Sequence, residues 1–140
     1  MRSCVRSRIL AAALLVVAGC DSDRLSTYEV TGKVVFEDGT VLRGGWIVCE
    51  SVDQGLAARG IVETDGSYRL GTYGADDGVV AGRQLIAITP ASPDGYDPDE
   101  NTAPSPIDRR FMHMDTSGLE IEVDPDSANH FVLVVERPDS

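Results

Sequence analysis

Few side chains in this chain could carry covalent chemistry. His113 and His130 are the only imidazoles, Lys33 is the only lysine, and Cys4, Cys20 and Cys49 are the only thiols. Neither histidine lies in a His-Glu-x-x-His sequence, and there is no Gly-x-Ser-x-Gly and no glycine-rich phosphate loop. Flanked by Met112 and Met114, His113 reads as an outward residue of a strand, and His130 marks the entrance to another. Glu120 and Glu122 share one strand face and read as a solvated rim. An acid/base pair would need a cleft that fixes the carboxylate separation. Cys49 sits in an apolar stretch and reads as a small buried hydrophobe. A Lys33–Asn129 isopeptide is disfavoured by phase, because Lys33 alternates with Val30, Val34 and Phe36, which face inward. No catalytic residue is expected, and the chain is expected not to be an enzyme.

Two stretches could still bind something. The loop Asp94-Gly95-Tyr96-Asp97-Pro98-Asp99-Glu100-Asn101 concentrates oxygen donors, with Asp94, Asp97, Asp99 and Glu100 as candidate Ca²⁺ ligands. Calcium takes six to eight oxygens, and Gly95 and Pro98 could bend a chelating loop, although the spacing is not that of an EF-hand. The bland reading is a solvated acidic loop, with no cofactor at all. The second stretch surrounds Trp46. If Ile47 and Cys49 face a core, Trp46 and Val48 face outward. The same parity sends Val35, Ile61, Leu85, Val132 and Val134 outward. Val35, Trp46, Val48 and Ile61 then form a candidate interaction surface, since large exposed apolar patches usually have a role. A cover of this face by the long Pro90–Pro106 loop is the competing expectation. For a saccharide, Trp46 and Tyr96 would be the stacking residues.

The elements that would position these residues are short strands. Two-residue periodicity governs Tyr28 to Phe36, with Tyr28, Val30, Val34 and Phe36 on one side. Asp38-Gly39, Asp65-Gly66 and Asp77-Gly78 mark tight turns. Further strands are expected over about Val41–Ser51, Leu56–Glu63, Ser67–Tyr73 and Val79–Thr89. Pro90–Pro106 holds five of the seven prolines and reads as an irregular loop. Arg109–Met114 is expected as a short strand. Leu119, Ile121 and Val123 then alternate with glutamates and an aspartate, and Phe131, Leu133 and Val135 form the inward face of a last strand. No trustworthy helical period occurs after the N-terminal segment. The expected core is Val30, Val34, Ile47, Tyr68, Leu70, Ile86, Ile88, Leu119, Ile121, Phe131 and Leu133. The fold class is therefore all-β: a single Greek-key β-sandwich of about seven strands.

The N-terminal segment reads as an address. Arg2, Arg6 and Arg8 precede the apolar run Ile9–Val17, which is too short for a stable bilayer anchor and suits a signal peptide. It ends in Val17-Ala18-Gly19-Cys20, which resembles a bacterial lipobox. That resemblance implies cleavage before Cys20 and lipidation of its thiol. The expected organisation is a signal peptide over 1–19, a lipidated Cys20 and tether over 20–27, and a β-sandwich domain over 28–140. Cleavage would take the net charge from −11 to −14 by removing three arginines, and so acidic a chain repels nucleic acid. Cys49 would remain as an odd thiol, too few ligands for zinc or iron–sulfur.

The run Val30-Thr31-Gly32-Lys33-Val34, Asp38-Gly39, Gly44-Gly45-Trp46-Ile47 and Thr64-Asp65-Gly66-Ser67-Tyr68-Arg69-Leu70 resembles a carboxypeptidase regulatory-like domain, whose fold is a transthyretin-like (prealbumin-like) sandwich. The likeness covers roughly Tyr28 to Thr89, with Gln84 where the family pattern has an aromatic. The stretches Thr116–Leu119 and Asn129–Phe131 are similar to small lipoproteins of planctomycete-type bacteria. The resemblance implies a non-catalytic, lipid-anchored, extracytoplasmic envelope protein with a structural or protein-interaction role. Its partners would be the membrane, through Cys20, and an envelope protein. The alternative is a cell-surface binding module for Ca²⁺ or a saccharide.

Overall fold

The computed structural model describes residues 24–91 and 105–139. Among the described residues nine strands follow in order: β1 (Thr27–Tyr28), β2 (Val30–Phe36), β3 (Gly45–Ser51), β4 (Ala57–Val62), β5 (Ser67–Arg69), β6 (Val79–Val80), β7 (Gly82–Pro90), β8 (Glu120–Val123) and β9 (Asn129–Val135). β1 and β6 form a small antiparallel pair. The other seven make one sheet in the order β8-β7-β3-β4-β5-β2-β9. Every neighbouring pair is antiparallel except β2 and β9, which run parallel over seven residue pairs, Val30↔Asn129 to Phe36↔Val135.

The sheet curls almost into a barrel. Its two edge strands, β8 and β9, are separated in sequence only by residues 124–128, so a flat sheet cannot hold both edges. The pairing within the seven-stranded sheet is sparsest at β4–β5, with the pair Val62↔Tyr68 and the isolated bridge Arg59↔Gly71. Gly60 lies between them, and a Cβ there would collide with the Arg69 carbonyl oxygen. The inner faces of the curled sheet enclose one core cluster, which gives the molecule its β-sandwich character.

Alternation fills that core. β2 buries Val30, Gly32, Val34 and Phe36; β3 buries Gly45, Ile47, Cys49 and Ser51; β7 buries Gln84, Ile86, Ile88 and Pro90. Val30, Val34, Ile47, Tyr68, Leu70, Ile86, Ile88, Ile121 and Leu133 are core residues, as expected. Leu119 and Phe131 are corrections: both are only partly buried and pack against the edge of the cluster. Leu119 falls one residue before β8 and Phe131 lies on an edge strand, so each lacks a neighbour on one side.

The expected strand over Arg109–Met114 is also corrected. Arg109–Met112 is a 3-10 turn capped by Asp108, whose Oδ1 accepts from Arg110 N at 2.9 Å. Its purpose in the packing is Phe111, which with Ile107 enters the core. Alternation of Phe111 with exposed His113 imitates a strand, but the backbone turns so that one aromatic can plug the interior. Two further strands are shorter than expected. β3 begins at Gly45, because residues 41–42 instead approach β2: Val41 bridges Val35 and Leu42 N donates to Val34 O at 3.0 Å. β5 ends at Arg69, because Asp77 gathers the following loop; its carboxylate accepts from the amides of Thr72, Tyr73 and Gly74.

Candidate functional site: a row across the outer sheet face

Register brings outward side chains from six strands into one row. Trp46 on β3 stands between Thr89 on β7 and Ile61 on β4. The Val62↔Tyr68 pair sets Ile61 beside Arg69 on β5. Arg69 pairs with Thr31 on β2, and Thr31 with His130 on β9. Trp46 and Ile61 are 55% and 51% exposed, large values for apolar side chains on a sheet face. The row from Trp46 to His130 floors an open groove of about 770 Å³, also lined by Glu29, Lys33, Arg59, Glu63, Ser67 and Asp76.

The floor is held from beneath by Tyr68. Its ring lies over Gly32, where a Cβ would clash with both the phenol and the Phe131 carbonyl. The phenol donates to that carbonyl at 2.9 Å, tying β5 across β2 to β9. Burial, with a smaller contribution from Cys49, raises the Tyr68 hydroxyl far above its ordinary range, so it stays neutral and acts as a strut. Burial pushes the Cys49 thiol up to about 11. A thiol so protonated near neutrality is a poor nucleophile, consistent with its expected place as a core residue.

The groove mixes charges of both signs. Arg69 lies 3.8 Å from Glu29, both well exposed. Lys33 and Arg59 form no ion pair among the described residues, and neither do Glu63 and Asp76. Thr31 Oγ1 and His130 Nδ1 share a 3.1 Å hydrogen bond. This hydroxyl–imidazole pair has the separation of a nucleophile and its base, but it lacks what such a pair needs. No third group among the described residues orients the other ring nitrogen, and the pair stands on an open face that does not exclude water. The row presents hydroxyl, imidazole, guanidinium and carboxylate groups beside an indole.

Of the surface residues expected from sequence, the row contains Trp46 and Ile61, and His130, read from sequence as a strand entrance, stands at its far end. Val48 is half-buried one step along β3, beside Arg59 and Ala87. Val35 is half-buried and lies apart, on β2 next to exposed Val134 of β9. The four expected surface residues therefore form two patches, because β4 and β5 intervene between β3 and β2. Arg69, Thr31, Lys33 and Arg59 were missed. Parity alone marks them as outward, but only the strand order places them beside Trp46. Lys33 is exposed, and Asn129 is engaged in the turn before β9, accepting from Asp124 N at 2.8 Å. Cys20, the calcium candidates Asp94, Asp97, Asp99 and Glu100, and Tyr96 lie outside the described residues. Among the described residues no cluster of three or more His, Cys, Asp or Glu could hold a metal ion.

No family model, curated protein or solved structure matches this chain.

Proposed function

We propose that this protein is a non-catalytic recognition module of the bacterial envelope. Its lipid anchor is at Cys20, its domain is a Greek-key sandwich of the transthyretin-like kind, and it engages its ligand or partner through the Trp46 face. The observation that carries the reading is the row itself: the chain's one tryptophan, half-exposed beside exposed Ile61, is followed by three polar side chains in register, Arg69, Thr31 and His130. Solvating such an indole and isoleucine costs free energy that a bound partner would recover. The N-terminal attachment is consistent with an envelope ligand. Leu25 N donates to the Tyr73 hydroxyl at 2.9 Å and Thr27 Oγ1 to Asp77 O at 2.6 Å, in the loop that supplies Asp76 to the groove. Three residues lie between Cys20 and Arg24, four Cα steps that span at most roughly 14 Å of extended chain, so an anchored domain would hold its groove close to the membrane surface.

The test compares hydroxyl-radical labelling of Trp46 in isolated envelopes with labelling of the purified full chain in detergent. The expected outcome is protection of Trp46 in envelopes and none at exposed Val52, which lies away from the row. Equal labelling of Trp46 in both preparations would overturn the reading.

A further inference from the structure

We infer that the groove takes a neutral pyranose oligosaccharide laid along the row from Trp46 to His130. The inference rests on the recognition reading above and names its ligand class. The first argument is the balance of charge. Lys33, Arg59 and Arg69 face Glu29, Glu63 and Asp76 in one groove, so neither an anionic nor a cationic ligand is favoured by the field. A polyhydroxylated ring suits both sets, because each hydroxyl both donates and accepts. Its hydroxyls donate to the carboxylates of Glu63 and Asp76 and accept from the guanidinium of Arg69.

Apolar area supplies the second argument. A protein partner is anchored through a core patch depleted in charge and sealed from water. Here Trp46 and Ile61 form a narrow platform ringed by ionised groups, which a protein surface would have to desolvate at a cost of several kcal/mol per unpaired ion. The C–H face of a pyranose covers an indole while its edge stays wet, so those ions keep their water or exchange it for hydroxyls. Length is the third argument. From Trp46 on β3 to His130 on β9 the row crosses four inter-strand steps of about 4.8 Å, roughly 19 Å in all. That is several sugar rings, and the hydroxyl–imidazole pair of Thr31 and His130 would meet the end distant from the tryptophan.

The single tryptophan makes the site its own reporter. The detergent-solubilised full chain would be titrated with three neutral tetrasaccharides: a β-1,4-glucan, an α-1,4-glucan and a β-1,4-N-acetylglucosamine oligomer. A tetragalacturonate and free glucose serve as comparisons. At least one neutral tetrasaccharide is expected to shift Trp46 emission to the blue in a saturable manner, with glucose at least tenfold weaker. Arg69→Ala and Thr31→Ala are each expected to raise Kd about 3–10-fold, the loss of one hydrogen bond. Neither should move the melting temperature, since both side chains are at least partly solvent-exposed. No shift with any neutral tetrasaccharide, a response to tetragalacturonate alone, or an Arg69→Ala variant with unchanged affinity would each overturn the assignment. Envelope protection of Trp46 with no saccharide response would leave the recognition reading standing and reject only this ligand class. Loss of both would reject both.

Discussion

Tyr68 shows how one side chain can serve core and surface together. Its ring is buried, its hydroxyl satisfies the Phe131 carbonyl, and both depend on the absence of a side chain at Gly32. Tyr68→Phe keeps the ring and leaves that carbonyl short of a partner, a cost of about 1–3 kcal/mol. Gly32→Ala places a methyl against phenol and carbonyl at once and should cost more than Tyr68→Phe. Urea unfolding of the two variants checks the order; a milder Gly32→Ala would mean that β2 and β9 can separate without loss. Strand parity gives a second contrast. Ile121 is buried and its neighbour Glu122 exposed. Ile121→Ala should cost roughly 2–5 kcal/mol and Glu122→Ala within about 0.5 kcal/mol. Gln84 is less economical: fully buried, it donates to Val80 O and Gly82 O while its Oε1 has no partner among the described residues. An aromatic at this position would leave those two carbonyls without the amide.

Turns set the register of the elements, and two of them use the same device. In Asp38-Gly39-Thr40 and Asp65-Gly66-Ser67 the aspartate Oδ1 accepts from both the amide and the hydroxyl two residues on. The glycine between takes a positive φ, 86° and 80°, which side-chain-bearing residues rarely adopt. The hydroxyl bonds, then the amide bonds, hold both carboxyls below the ordinary aspartate value of 3.8. Ser127 and Asp126 do the same for Asp124 in the turn before β9. A carboxyl whose folded value lies below its unfolded one stabilises the fold above the unfolded value. That contribution disappears as pH falls through the folded value, so these turns weaken below about pH 4. Thr40→Val should raise the Asp38 value, and Ser67→Ala the Asp65 value, each towards the ordinary one. Carboxyl-carbon NMR titration reads both directly, and an unchanged Asp65 in Ser67→Ala would assign the depression to backbone alone. These Asp-Gly turns were legible in the sequence, as were most strands and nine of the eleven expected core residues, all but Leu119 and Phe131. What was not legible needs long-range information. Arg109–Met112 has strand-like alternation because Phe111 must reach a core that lies beneath it, and nothing local reports where that core is. The Trp46 row was half legible for the same reason. Parity puts Trp46 and Arg69 on outer faces, but only the order β3-β4-β5-β2 makes them neighbours.

For the whole molecule the decisive contact joins its first long strand to its last. β2 and β9 pair in parallel with partners 99 residues apart, as for Thr31 and His130. Such a parallel pairing cannot be made by a hairpin, so its loop-closure entropy is met before any contact rewards it. Folding on the millisecond-to-second scale is expected, typical of sandwiches dominated by distant contacts. The seam between β9 and β8 is the other half of closure. The segment before β8 spans it: Asp108 N donates to Glu136 O at 2.9 Å, Arg110 lies 2.8 Å from Glu136, and Ser117 Oγ donates to Ile86 O on β7. The Arg110–Glu136 pair is exposed, so Arg110→Ala should cost no more than about 1 kcal/mol. Phe111, 2% exposed, fills the interior behind the seam, and Phe111→Ala should cost about 3–5 kcal/mol through cavity formation. Because one core serves both halves of the curled sheet, that loss should be felt everywhere. Phe111→Ala is expected to lower the denaturation midpoint seen by Trp46 fluorescence on β3 and by far-ultraviolet circular dichroism equally. Two separated transitions, with β3 surviving the loss of the seam, would show that the halves fold independently and that the closure described here is not what holds the Trp46 face in shape.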